Sequence, residues 1–242
     1  MRLNRVFVDD ELAENKLVSL PSDVVRHLIT VLKMKEGESL IVFNGDGFSY
    51  HATIDSINKR EVKVSIDRQE SSNNESPLKL HLYQAVARGD KMDFTIQKSV
   101  ELGVTEITPI FTERCGVKLS TDRLEKKLNH WQKVIISACE QCGRNQLPKL
   151  NRPKSLPELV GDSEVDEFML ILNPHSGKRI AELERSTHFS LVIGPEGGLT
   201  DDEVSAFEKN GCSSVKLGPR ILRTETAGLA VIAIMQSIFG DV

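Results

Sequence analysis

Two segments near the C-terminus carry the residue types best suited to holding a small ligand. The first is Ile193-Gly194-Pro195-Glu196-Gly197-Gly198, and the second is LGPRILRTET at 217–226. Glycine lets the backbone turn sharply or approach a ligand closely, because it has no Cβ. Charged and hydroxyl side chains accompany both segments, namely Glu196, Arg220, Arg223, Thr224 and Glu225. Together, the two segments predict one composite site for a ligand with amide, amine or hydroxyl edges.

Each segment follows a predicted strand and leads into a predicted helix. Leu191-Val192-Ile193 and Val215-Lys216-Leu217 are typical of short strands. Thr200 and Glu203 form a capping-box pattern at the start of one helix, and the chain from Thr226 to Ile238 predicts a helix that is buried on nearly every face. Ligands of open α/β sheets bind at the carboxyl ends of the strands. Either loop alone is equally compatible with a purely structural connection between a strand and a helix, where glycine and proline are common.

Composition narrows the class of protein and its partners. The chain has 242 residues, 39% apolar and 27% charged, enough for one large or two modest domains. The net charge of -4 is unevenly spread, because residues 78–160 contain 14 Lys and Arg against 9 Asp and Glu. A phosphate backbone responds to such a local basic segment, since distant charges are screened. No apolar run approaches the roughly 20 residues of a membrane span, so we expect a cytoplasmic protein with no membrane partner.

The cysteines and histidines do not predict a metal site. Cys139 and Cys142 form a CxxC pair, but no second pair completes a tetrahedral set, and no histidines pair at ligand spacing. Both cysteines lie on the apolar stripe of a predicted helix. We interpret them as packing residues.

A polar run closed by proline, Ser71–Pro77, marks the predicted domain boundary, giving domains at 1–72 and 73–242. Alternating apolar residues at 48–54 and 62–66 predict strands, and Asn44–Gly47 predicts a hairpin turn. One predicted helix has Val24, Leu28, Val31 and Leu32 on its apolar face. This pattern predicts a small β-barrel, an architecture common among RNA-binding modules.

After the boundary, predicted strands and helices alternate. The longest predicted helix has an apolar stripe of Leu124, Leu128, Trp131, Ile135, Ala138 and Cys142, and it ends at Gly143. Strand and helix alternation predicts an α/β domain with a mostly parallel sheet covered on both faces.

These motifs resemble the RsmE family of bacterial 16S ribosomal RNA uridine-N3 methyltransferases, members of the SPOUT superfamily. The resemblance covers essentially the whole chain, and its most specific part is GPEGG at 194–198 followed by LGPRILRTETA at 217–227. Further matching segments are RLNRVF at 2–7, HLITVLK at 27–33, KMD at 91–93, QKSVELG at 97–103 and EQCGR at 140–144. The chain departs from the family pattern at Lys33, where arginine is usual, and at Cys142, where a small polar residue is usual.

The resemblance implies both a fold and an activity. It implies a small N-terminal PUA-like β-barrel and a SPOUT domain with a deep trefoil knot, working as a homodimer. It also implies methylation of uridine N3 in 16S ribosomal RNA of the small subunit, with S-adenosylmethionine as the methyl donor.

The same resemblance and the charge pattern suggest roles for individual residues. The expected cofactor-binding residues are Leu172, Gly194, Pro195, Glu196, Gly197, Gly198, Leu217, Gly218, Ile221, Leu222, Arg223, Thr224 and Ala227. The candidate catalytic residues are Glu140 and Arg144, four apart at a helix end, because uridine N3 needs a proton acceptor or a cation that stabilises its anion. The expected RNA contacts are Arg2, Arg5, His27, Lys33, Lys91, Lys98 and Arg114.

Three alternative functions compete with this one. A Rossmann or P-loop nucleotide enzyme is disfavoured, because neither GxGxxG after the first strand nor GxxxxGK[ST] occurs. A ribose 2′-O-methyltransferase of the SPOUT superfamily would share the cofactor loops but not the small N-terminal domain. A non-catalytic ribosome-assembly protein would need the basic segment but not the loops.

Overall fold

The computed structural model describes residues 3–58, 61–71, 74–117, 120–161, 168–175 and 177–242. The chain divides into two compact units. The first comprises Met1–Glu75 together with Cys139–Leu147, and the second comprises Ser76–Ala138 and Pro148–Val242. The predicted boundary at 72/73 falls on residues outside the described part of the chain.

The first unit is built on a five-stranded sheet. Its strands are β1 (Asn4–Phe7), β2 (Leu17–Ser19), β3 (Ser39–Phe43), β4 (Phe48–Asn58) and β5 (Glu61–Ser71), in the spatial order β1-β3-β4-β5-β2. β1 pairs with β3 in parallel, and the other pairs are antiparallel. Buried apolar residues from all five strands share one core. The alternating apolar residues at 50–54 and 62–66 therefore lie in this core, as the sequence pattern predicts.

The predicted helix in this unit differs from the observed one. α1 covers Ser22–Arg26 and continues as a π-helical turn over His27–Val31, in which Leu32 N–H donates to His27 O at 3.1 Å. The wider turn shifts the helix face, so Val25 is buried and the predicted core residue Val31 is 64% exposed. Lys33 follows the turn with a φ of 53°.

The second unit contains a fully parallel sheet in the order β12-β10-β11-β6-β7-β8, with β9 also paired to β7. The strands are β6 (Lys79–Ala85), β7 (Glu106–Phe111), β8 (Lys149–Leu150), β9 (Lys154–Ser155), β10 (Met169–Leu172), β11 (His188–Ile193) and β12 (Ser213–Val215). The expected α/β architecture with a mostly parallel sheet is confirmed. β12, however, lies two residues before the predicted strand at 215–217.

In the described part of this unit, five further helices accompany the sheet: α2 (Lys91–Glu101), α3 (Thr121–Cys142), α4 (Leu156–Gly161), α5 (Asp201–Lys209) and α6 (Thr224–Phe239), with a 3-10 turn at Ile180–Glu182. Trp131, Ile135 and Ala138 of the predicted stripe on α3 are buried. α6 is less buried than predicted, because Ile234 and Ile238 are each 38% exposed. Within the described residues, no helix has both the length and the apolar character to cross a membrane.

The strand order brings several loops together at the carboxyl ends of the parallel strands. β6 continues to its neighbour β7 on one side, whereas β11 is followed by β12, which lies beyond β10 on the other side. Chain connections therefore diverge between β6 and β11. Crevices at the carboxyl ends of strands form at such switch points.

Candidate functional site

A cavity of about 870 Å³ lies at the carboxyl ends of β10, β11 and β12. Its walls come from residues 172–175, 193–199 and 217–224, and Lys91, Arg114 and Ala227 are among the other lining residues. This volume is in the range of pockets that enclose small organic molecules or cofactors. All the lining residues belong to the second unit.

The first loop is a tight turn that leads directly into α5. Gly198 N–H donates to Pro195 O at 2.9 Å, and Gly198 has a φ of 72°. A Cβ on Gly194 would lie 3.0 Å from Leu199 Cγ and 3.3 Å from Leu199 N, so a side chain at 194 would displace the loop. The predicted capping box is confirmed, because Glu203 N–H donates to Thr200 Oγ1 and Thr200 N–H donates to Glu203 Oε2.

The second loop is tied to the first by side chains. The Thr224 hydroxyl, at the start of α6, donates to Gly194 O at 2.6 Å and accepts from Gln84 Nε2 at 2.9 Å. Arg114 Nη1 donates to Gly197 O at 3.2 Å. The two loops therefore share one hydrogen-bonded framework.

One lysine lies between two carboxylates beside the cavity. Lys91 Nζ is 3.4 Å from Glu196 Oε1 and 3.6 Å from Glu225 Oε2. Burial acts to raise the pKa of Glu196, but hydrogen bonds from backbone N–H groups and Lys91 outweigh it, so that pKa lies below its ordinary value. Glu196 is therefore a carboxylate at neutral pH.

The cavity brings together all thirteen residues expected to bind the cofactor. It also includes Lys91 and Arg114, which the sequence suggested as RNA contacts. Sequence reasoning missed Asn173, Pro174 and His175, which line the wall after β10. Asn173-Pro174 signalled only the end of a strand, and its place beside the glycine loops depends on strand order.

The candidate catalytic residues lie in the first unit and do not line this cavity. Glu140 Oε1 accepts from Phe7 N–H at 3.1 Å. Burial raises the pKa of Glu140, and the bond from Phe7 and the nearby His27 only partly offset this effect. Arg144 is buried, with Nη2 2.5 Å from Glu75 Oε2 and Nε 3.1 Å from both carboxylate oxygens.

The expected RNA contacts differ in their availability. His27 and Lys33 are exposed, whereas the Lys98 ammonium pairs with Glu101 at 2.7 Å. The Arg5 guanidinium donates to Asn145 Oδ1 and to Arg144 O, and it lies 5.0 Å from the centroid of the Phe43 ring. Arg5 thus has a structural role inside the first unit. Arg2 lies outside the described residues.

Of the two cysteines predicted to pack in the core, Cys139 is buried and Cys142 is half-buried. Cys139 is fully buried, and burial raises the pKa of its thiol to about 12, so it is not a thiolate at neutral pH. In the part of the chain that the structure describes, no group of three or more His, Cys, Asp or Glu side chains is arranged to hold a metal ion.

Each of the two parts of the chain matches the model of a known protein family. The model for an RNA methyltransferase domain matches residues 74–236, and the model for an RNA methyltransferase PUA domain matches residues 20–67. The chain therefore belongs to the class of RNA methyltransferases that have a PUA domain.

Full-length relatives narrow this class. The chain is 37% identical to ribosomal RNA small subunit methyltransferase E of Buchnera aphidicola (subsp. Schizaphis graminum), with 99% of this chain and 98% of the relative covered. It is 30% identical to the Bacillus subtilis protein of the same name, covering 96% and 95%. The chain belongs to the ribosomal RNA small subunit methyltransferase E family, as its motifs suggested.

Solved structures agree in fold. A methyltransferase from Legionella pneumophila, in complex with the cofactor SAM, has a TM-score of 0.97 at 40% identity, with both chains fully covered. A ribosomal RNA small subunit methyltransferase E from Neisseria gonorrhoeae, bound to S-adenosyl methionine, has a TM-score of 0.93 at 39% identity, with 99% of each chain covered.

Proposed function

We propose that this protein transfers a methyl group from S-adenosylmethionine to N3 of a uridine in 16S ribosomal RNA of the small subunit. The observation that carries this proposal is the cavity formed by both glycine-proline loops, in a chain whose structural relatives are bound to S-adenosylmethionine. The charged, hydroxyl and apolar groups on its walls suit a ligand that combines an adenine ring, a ribose and an amino acid.

The lining residues divide into three proposed roles. Leu172, Ile221 and Leu222 offer apolar surfaces for the adenine ring, and backbone groups of Leu217 and Leu222 suit its polar edge. Gly194 to Gly198 line the ribose and methionine side, and the small side chain of Ala227 leaves room at the start of α6. Gly218 has a φ of 68°, which places the second loop in a conformation that glycine adopts without strain.

The chemistry requires a proton acceptor as well as a methyl donor. S-adenosylmethionine supplies an electrophilic methyl group, but neutral uridine N3 is a poor nucleophile. Glu140 is the proposed acceptor of the N3 proton, because burial raises its pKa towards the range of an effective general base. Arg144 is the proposed cation for the uridine anion, and Glu75 fixes the orientation of its guanidinium.

The proposal also covers the residues that contact the RNA, the domains and the oligomeric state of the protein. The proposed RNA contacts are Arg2, Arg5, His27 and Lys33 near the N-terminus and Lys91, Lys98 and Arg114 in the second unit. Arg5 also keeps its hydrogen bonds to Asn145 and Arg144. The proposed domains are a PUA-like domain at 1–72 and a SPOUT domain at 73–242 with a trefoil knot. The exposed apolar residues Ile234 and Ile238 support a homodimer. Because ribosomal RNA is the substrate, the proposed compartment is the cytoplasm.

Two measurements test the proposal in sequence. Calorimetry with S-adenosylmethionine should show one site per chain, and absence of binding would refute the enzyme and favour a non-catalytic assembly protein. Mass spectrometry of ribosomal RNA from cells lacking the protein should then show the loss of one N3-methyluridine in 16S RNA. Loss of a 2′-O-methyl group instead would contradict the base specificity.

A further inference from the structure

Gln84 is a fully buried polar residue at the carboxyl end of β6, in a strand whose neighbouring inward side chains are apolar. It lies in register with Ile193, the last residue of β11 before the first loop. A buried amide is stabilised only when its groups are hydrogen-bonded. The partners of Gln84 therefore indicate what the residue holds in place.

Both N–H groups of the Gln84 amide are used. One donates to Thr224 Oγ1 at 2.9 Å, and the other donates to Ala85 O at 3.1 Å. Because the Thr224 oxygen accepts from Gln84, its own proton is directed to Gly194 O, 2.6 Å away. This relay runs from β6 through the start of α6 to the first residue of the GPEGG loop.

The single oxygen of the Gln84 amide explains a glycine in α6. Gln84 Oε1 is buried and has no hydrogen-bond partner among the described residues. A Cβ on Gly228 would lie 3.2 Å from this oxygen, closer than ordinary van der Waals contact. Gly228 therefore leaves the space in which the Gln84 amide can turn its N–H groups towards Thr224.

A second, ionic connection lies closer to solvent on the same segment. Arg88 N–H donates to Glu196 Oε1 at 3.4 Å, and Lys91 bridges Glu196 of the first loop and Glu225 beside the second. The segment from 84 to 91 thus makes two separate connections to both loops. One is the buried, neutral relay from Gln84 through Thr224 to Gly194, and the other is the partly exposed pairing of Lys91 with Glu196 and Glu225.

We propose that Gln84 is a positioning residue of the methyl-donor site: through Thr224 it fixes the Gly194 carbonyl and joins the two loops before the ligand binds. The proposal rests on the proposed function, because the ligand is S-adenosylmethionine. Preorganised loops do not spend binding energy on becoming ordered. Loss of the relay should therefore weaken ligand binding more than it weakens the fold.

The test compares two buried glutamines. Gln84→Met should raise the Kd for S-adenosylmethionine about tenfold, the effect of roughly one lost buried hydrogen bond. Gln236→Met is the matched control. Gln236 is equally buried in α6, donates to Leu102 O at 3.0 Å and accepts from Ser76 Oγ at 2.7 Å, but it does not line the cavity. It should lower the unfolding temperature and leave the Kd within about twofold of wild type.

Variants at Thr224 keep the proposal falsifiable if Gln84→Met fails to fold. Thr224→Ser retains the hydroxyl that joins Gln84 to Gly194, so it should bind S-adenosylmethionine about tenfold more tightly than Thr224→Val, which lacks that hydroxyl. The double variant Gln84→Met/Thr224→Val should bind no more weakly than the weaker single variant, because both act through one relay.

Three results would overturn the inference: an unchanged Kd for Gln84→Met, equal losses for Thr224→Ser and Thr224→Val, or additive losses in the double variant. Failure of the wild-type protein to bind S-adenosylmethionine would instead refute the proposed function.

Discussion

Glu140 lies in the last turn of α3, Arg144 follows that helix after Gly143, and each has a defined partner in the first unit. Arg144 is paired with Glu75, and Glu140 accepts from the backbone of β1. Substitution of either residue will therefore change stability as well as any chemistry. Activity measurements on these variants need a stability measurement beside them.

Arg144→Met should lower the free energy of unfolding by about 3 kcal/mol or more, because it leaves the Glu75 carboxylate buried without its partner. Urea denaturation followed by circular dichroism measures this loss. The double variant Glu75→Gln/Arg144→Met should regain part of the stability, since no unpaired charge remains. A loss below about 1 kcal/mol in the single variant would show that the ion pair is dispensable.

The variant Glu140→Gln distinguishes between two roles of Glu140, that of a proton acceptor and that of a structural carboxyl group. Because burial raises the folded-state pKa of Glu140, its contribution to stability is present below the unfolded pKa and is lost as pH rises through the folded pKa. The variant should therefore be more stable than wild type near pH 8, and this advantage should shrink towards pH 4 to about zero. Denaturation at several pH values measures it.

Single-turnover methylation by the same variant tests the proposed chemistry. Glu140→Gln keeps an oxygen that can accept from Phe7 N–H, so a large loss of rate with intact stability would support proton transfer. A near-normal rate would remove Glu140 from the mechanism.

At the scale of elements, short sequence patterns predicted the features that depend on residues close together in the chain. The capping box at Thr200, the turn at Asn44–Gly47 and the stripe on α3 all depend on residues within a few positions of each other. The π-helical turn at 27–31 was not predictable, since the apolar pattern fits an ordinary helix and only packing selects the wider turn.

The same distinction holds for the site. The two loops carry recognisable glycine and proline patterns, so their residues could be named from the sequence. Asn173–His175 and Gln84 could not, because their proximity to the loops follows from the order in which β10, β11 and β6 pair. Gln84 did leave one signal, an amide inside an apolar strand.

Thr200→Ala should destabilise the protein by about 1 kcal/mol, since it removes the side-chain acceptor for Glu203 N–H. It should also weaken S-adenosylmethionine binding, because the cap joins the first loop to α5. Thr200→Ser is the control, since serine retains the hydroxyl. Chemical denaturation and calorimetry measure the two effects, and equal stability of the alanine variant and wild type would contradict the role of the cap.

At the scale of the whole molecule, the exposed apolar face of α6 argues for self-association. Ile234 and Ile238 are one helical turn apart and equally exposed. Apolar residues clustered on one surface usually mark an interface.

Ile234→Glu should convert the proposed dimer to a monomer, because a carboxylate at a buried apolar interface loses its hydration. Analytical ultracentrifugation measures the mass. Leu17→Glu is the control, since Leu17 is a 52% exposed apolar residue on β2. A monomeric wild-type protein, or a dimer that survives Ile234→Glu, would contradict the proposed assembly.

The first unit is discontinuous in sequence, since Cys139–Leu147 belong with Met1–Glu75. During synthesis, the N-terminal strands leave the ribosome long before the segment that supplies Arg144 and Asn145. Until residue 145 has emerged, Glu75 lacks Arg144 and Arg5 lacks Asn145, although Arg5 still contacts Ser49 and Phe43. An N-terminal fragment that ends at residue 75 should therefore be less stable than the same unit in the complete chain, and the order of translation delays completion of the first unit until more than half of the protein has been made.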